Sequence, residues 1–241
     1  MDRALFAAAT GMAAQQQNLD TISNNLANAE VSGFKSASQT FAELAAPGEV
    51  GLGTVSVGEH LVFTQGKLVR SDGPFDLAID GQGFFTVTDG KRVAYTRNGE
   101  FSRAADGTVR DAAGWQLQGV RIPNDALSVN VATDGTVRAT TPSGPCVAGH
   151  ITIAVFAAPE YLDSVGGTTF RATAASGHAR AATPGGQGGP AVRFGMLEQS
   201  NVSIVESMMQ ILSAQRAYEA NAKGVQAADE MLRIANNLQR G

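Results

Sequence analysis

The sequence holds a single cysteine, Cys146, among 241 residues. One thiol forms no internal disulfide, and no Cys/His cluster has the spacing of a zinc site. Histidine is almost as scarce. His60, His150 and His178 stand alone, outside any H-x-x-x-H pattern, so no metal site is expected. Charge is sparse and mixed, with 18 basic and 22 acidic residues and a net charge of −4. The basic residues are scattered singly, which argues against nucleic acid or an anionic membrane surface as a partner. No apolar run approaches the ~20 residues of a membrane span, so no membrane insertion is expected. The opening MDRALFAAATGMAAQQQ sets Asp2 against Arg3, and QQQNLDTISNN is too polar for a secretory signal. An N-terminus without signal cleavage is therefore expected.

Catalytic signatures are also missing. DGQGFF contains G-x-G, but no third glycine opens a helix as a dinucleotide site requires. It reads as a tight turn feeding the strand FFTVT. Neither G-x-x-x-x-G-K-S/T nor G-x-S-x-G occurs, and no Asp-Gly pair sits in a calcium loop. Cys146 has no basic neighbour to activate it. Glu100, Asp106 and Asp111 are read as turn and edge-strand residues, although a carboxylate pair that meets only in space stays open. The expectation is a protein that is not an enzyme, with no catalytic residue, no cofactor and no metal.

What the chain does have is glycine, 28 residues of it, and two kinds of apolar periodicity. Over residues 1–33, Leu5, Ala8, Met12, Leu19, Ile22, Leu26 and Ala29 recur at alternating 3/4 spacing, the seam of a helix that packs on another helix. Gly33 suits the stop. Near the other end, Ile204, Met208, Ile211, Tyr218, Ala222, Val225 and Leu232 repeat that spacing, interrupted by Gln215 and Asp229. Ser203 and Glu206 have the spacing of a capping box. Ile211, Tyr218, Val225 and Leu232 are expected to face inward, with Arg216 and Glu219 off the seam.

Between the helices the period is two. FDLAID, LSVNV and ITIAV alternate as half-buried strands do. Asp-Gly or Asn-Gly pairs punctuate them at Asp72, Asp80, Asp89, Asn98, Asp106 and Asp134, and the expected turns have both central residues at positive φ. DGTVR occurs twice, at Asp106–Arg110 and Asp134–Arg138, and suggests a reused hairpin. TPGGQGGP, Thr183–Pro190, reads as a loop with no packed side chains. The fold expected is α+β, with N- and C-terminal helices pairing into a coiled-coil-like domain around a discontinuous central β-rich domain. The boundaries are 1–33 for the first helix, 34–70 for an extended connection, 71–200 for the β-rich domain and 201–241 for the last helix.

TGMAAQQQNLDTISNNLANAEVSGFK resembles the N-terminal signature of the flagellar axial proteins, the rod, hook and hook-associated family. LEQSNVSIVESMMQILSAQRAYEANAKGVQAADEML is similar to that family's C-terminal signature, and LAIDGQGFFTV and YTRNGEF resemble segments of its rod and hook members. The resemblance implies a structural subunit of the bacterial flagellar basal-body rod. Such a subunit is exported without signal cleavage by the flagellar type III apparatus. It polymerises with itself and with neighbouring rod and hook proteins into a helical tube that crosses the periplasm and transmits torque, possible ring contacts included. The C-terminal segment and the length resemble the distal-rod type, and MDRALF resembles the proximal-rod type. A small hook protein or rod-like paralogue remains an alternative, as does a peptidoglycan-directed β-domain enzyme or binding module.

The resemblance also gives a reading of NNLANAEVSGFK. Asn24, Asn25 and Asn28 are poor choices for the end of a helix, but in a tube they would bond across chains and set register. With Gly33, Phe34 and the seam residues of both helices, they form the expected assembly interface. The seams themselves are expected to be fully buried only in the polymer.

Overall fold

The computed structural model describes residues 2–44, 53–186 and 189–238. They divide into two compact units. The first contains helix α1 (Asp2–Ala27), the strand Ala37–Glu43, the strand Thr54–Leu61 as far as His60, and helix α2 (Ile204–Leu238). The second contains residues Asn28–Ser36 and Leu61–Asn201. The overall class is α+β, as the two periodicities predict.

In the first unit, α1 and α2 pack on each other, and the strands Ala37–Glu43 and Thr54–Leu61 pair as a two-stranded sheet. Helix α1 stops at Ala27, six residues before the expected Gly33. Beyond it the chain makes a run of turns: the Val31 N–H donates to the Asn28 carbonyl and the Phe34 N–H to the Val31 carbonyl, both at 3.2 Å. Helix α2 starts as expected. The Ser203 hydroxyl accepts the Glu206 N–H at 3.4 Å, while the Glu206 carboxylate takes Gln210 instead of closing the box.

The second unit is built on a 12-stranded antiparallel sheet. Its main path runs Ser128–Val131, Thr136–Thr141, Gly144–His150, Gln116–Arg121, Phe84–Thr88, Val93–Thr96, Thr169–Arg171, Asp163–Gly166. Two further pairs complete the unit, Leu77–Asp80 with Ala191–Phe194 and Leu68–Arg70 with Met196–Glu198. Leu77, Ile79, Phe85, Val87, Leu117, Ile151 and Ile153 form the main core. A second, aromatic cluster sets Phe63, Phe84, Phe156 and Phe170 edge to face, the geometry the ring quadrupole favours.

Several local expectations are corrected. Leu77, Ala78 and Ile79 are all buried, so that strand is covered on both faces and not half-buried. Leu127 precedes its strand and is 75% exposed. Pro184, in the supposedly unpacked loop, is buried; Gln187 and Gly188 of that loop lie outside the described residues. No described non-glycine residue has positive φ, so the Asp or Asn of each pair stays on the normal side; Gly81, Gly90, Gly107 and Gly135 alone take positive φ, while Gly73 and Gly99 do not.

The DGTVR repeat is a reused turn. In the first copy Ala104 N–H donates to Thr108 O, Gly107 N–H to Ala104 O and Ile122 N–H to Gly107 O, at 2.8, 3.0 and 2.8 Å. In the second, Ala132, Gly135 and Ile151 repeat these bonds at 3.0, 2.9 and 2.8 Å. Gly107 and Gly135 have φ of +80° and +82°, and the carboxylates of Asp106 and Asp134 accept the N–H two residues on. This is a type I turn closed by a left-handed glycine, the three-residue hairpin loop.

Candidate functional site: a buried ionic cluster and the helix faces

The motifs GFK, YTRNG and LEQSN lie far apart in sequence and meet in the second unit. Lys35 Nζ lies 2.6 Å from Glu198 Oε1, and Arg97 Nη1 lies 3.0 Å from Glu198 Oε2. All three side chains are 4% exposed or less. One carboxylate therefore serves two buried cations. Lys35 also donates to Thr64 O at 2.8 Å, Arg97 to Gly81 O at 2.8 Å, and the Gly66 N–H to Glu198 Oε1 at 2.9 Å. The guanidinium stacks over the Phe84 ring at 5.5 Å, and Arg97 Nε is buried without a hydrogen-bond partner among the described residues. Burial pushes the Lys35 ammonium below its ordinary pKa and Arg97 Coulombically adds to the lowering, while Glu198 opposes it. Burial likewise lowers Arg97, again against Glu198. Removing one member of such a cluster strands a buried charge, which costs about 3–5 kcal/mol.

Gly33 and Asn201 frame the cluster. Gly33, at φ +70°, donates its N–H to Glu198 O at 2.7 Å, and an added Cβ would lie 2.3 Å from Asn98 N. Asn201 Oδ1 accepts the Ser36 N–H at 2.8 Å, and its Nδ2 donates to Val62 O at 2.7 Å and to Thr64 Oγ1 at 2.9 Å. The Val62 N–H in turn donates to Ser36 O. Three separate passes of the chain are thus held by one side-chain amide. Sequence reasoning missed Lys35, Arg97, Glu198 and Asn201 as a group. No local signal marks the group: Arg97, for instance, stands between Thr96 and Asn98.

In the first unit, Asn25 is buried and both ends of its amide are used. Nδ2 donates to Ala37 O at 2.7 Å and Oδ1 accepts the Ala37 N–H at 2.9 Å. Against the expectation that Asn25 bonds across chains, its amide bonds within its own chain, to the main chain of the strand Ala37–Glu43. Thr21 accepts from Gln39, and Gln39 from Ser56, each at 3.0 Å. A cleft of about 360 Å³ nearby is lined by Gln15, Asn18, Gln39, Gln210 and Ser213 among others, with no titratable side chain in its wall.

The other expected interface residues fall into two sets. On α1, Ile22 is buried, while Leu5, Met12, Leu19 and Leu26 are half-buried. Asn24 is exposed; Asn28 and Phe34 are half-buried and Gly33 is buried. On α2 the inward stripe is displaced from the expected one. Ser207, Ala214 and Ala228 are buried and Asn221 is half-buried, each seven residues from the next. Small side chains let the helices approach: a Cβ added at Gly11 would sit 2.9 Å from Asn221 Nδ2. Ile211 and Val225 are half-buried, whereas Ile204, Met208, Gln215, Arg216 and Tyr218 are exposed. Val205, Met209, Leu212, Met231 and Ile234 are each more than half exposed. The side chain of Leu232 lies outside the described residues.

Comparison with known proteins matches three family models along the chain. Residues 5–35 match "Flagella basal body rod protein", 78–139 the "Flagellar hook protein FlgE/F/G D1 domain" and 194–238 "Flagellar basal body rod FlgEFG protein C-terminal". The chain is 38% identical to flagellar basal-body rod protein FlgG of Borreliella burgdorferi, with 100% of each chain covered. It is 35% identical to FlgG of Caulobacter vibrioides, covering 98% of this chain and 99% of that one. Against flagellar basal-body rod protein FlgF of the same organism it is 31% identical, covering 98% and 97%. Identity at this level over the full length, with matching models at both ends and in the middle, places the chain in the flagellar basal-body rod protein family.

Proposed function

We propose that this chain is a structural subunit of the distal flagellar rod and that its copies stack into the helical tube crossing the periplasm. The observation that carries this reading is the outer face of α2. Met208, Met209, Leu212 and Met231 are exposed on a helix of 35 residues, about 52 Å long at 1.5 Å per residue. Exposed apolar side chains clustered at 208–212 and present again at 231 mark an interaction surface, and a rod-family chain supplies identical copies to fill it. Ile204 and Tyr218 are exposed on the same helix. Half-buried Leu5, Met12, Leu19 and Leu26 and exposed Asn24 on the first helix, with Asn28 just beyond its end, supply the complement. The proposed partners are other copies, the adjoining rod and hook proteins, the type III export apparatus and the surrounding rings. Higher identity to FlgG than to FlgF of one organism supports the distal position. The proximal position is the second reading, supported by MDRALF.

Deleting the gene and imaging isolated basal bodies tests the proposal. A rod truncated near its outer end, without hook or filament, is the expected result. A rod cut short near the motor would favour the proximal position, and complete basal bodies in a swimming strain would overturn the structural role.

A further inference from the structure

Lys35, Arg97 and Glu198 come from the beginning, the middle and the far end of the second unit's chain. The segment that delivers Glu198 also delivers two strands. Ala191–Phe194 is the only pairing partner of Leu77–Asp80, and Met196–Glu198 is the only partner of Leu68–Arg70, among the described residues. Leu77 and Ile79 belong to the centre of the main core, so that core is complete only once its last strands have docked. Before then Lys35 and Arg97 have no carboxylate: among the described residues Glu198 is the only acidic partner of either. Burying an ammonium and a guanidinium without it is strongly unfavourable, and the Gly66 N–H would lose its acceptor as well.

We propose that Glu198 is a closure latch. The β-rich unit stays open until the segment around residues 191–201 docks, and the carboxylate is what makes burial of the two cations possible. The inference concerns a single chain and stands whether or not copies assemble.

The test is refolding of the full-length protein from denaturant, followed by fluorescence of Trp115, the single tryptophan, which packs against the main core. Glu198→Gln is expected to lower the folding equilibrium constant by at least ~100-fold. Most of that loss should appear as slower refolding, with the unfolding rate changed only a few-fold. A triple variant, Lys35→Met with Arg97→Met and Glu198→Met, has no cations to neutralise and is expected to refold within about tenfold of the parent. If Glu198→Gln fails to fold while the triple variant folds, the latch is supported. Two results would overturn it. One is Glu198→Gln refolding at the parent rate with the loss confined to faster unfolding, which would make Glu198 a clamp added after closure. The other is a triple variant that folds no better than Glu198→Gln.

Discussion

Asn25 shows how much a single amide settles. It holds both main-chain groups of Ala37, so Asn25→Ala leaves a buried donor and acceptor unmet and should cost about 1–3 kcal/mol, read as a shift in chemical denaturation. Two titrations are equally local. Asp89 accepts the N–H groups of Arg92 and Lys91 and is held at about 2. Its folded pKa is thus below the ordinary value of 3.8, and its contribution is present above that value and lost as pH falls towards 2. A carboxyl NMR titration should show a midpoint near 2. Lys35 is a base with its pKa lowered from 10.5. Between the lowered value and 10.5 the unfolded chain binds more protons than the folded one, so the stability of the β-rich unit rises with pH across that window. Lys35→Met should flatten the rise in denaturation midpoints measured against pH.

The helices divide their predictions by face. Ser203→Ala removes the N-cap of α2 and should cost about 1 kcal/mol. Met208→Asp or Leu212→Asp changes an exposed position and should leave single-chain stability within ~0.5 kcal/mol. The same changes should abolish assembly, seen as loss of rods in basal-body preparations. The α1 seam was legible because its apolar residues are the ones that are covered. The α2 seam was not. The spacing of the large side chains suggests that they point inward, but the buried positions are Ser207, Ala214 and Ala228, while Ile204, Met208 and Tyr218 are exposed and Ile211 and Val225 only half-buried. Apolar periodicity locates a stripe without saying which neighbour covers it. Turns were legible in place but not in type, since Asp needs no positive φ when the glycine alone takes it. The ionic cluster was illegible for a different reason: its members are 62, 101 and 163 positions apart, and nothing local in a sequence reports a pairing at that distance.

At the scale of the whole molecule, the second unit is closed by segments from its own two ends, and the Asn201 amide sits where they meet. Ser36, Val62 and Asn201 belong to three passes of chain bonded at one point. Bonds arranged in that way are loaded together, like the strands of a splice, and not parted one after another like the teeth of a zipper. A pull on any one pass is shared by the other two, so this corner of the fold resists twisting without a disulfide, in a chain whose single cysteine could not have made one.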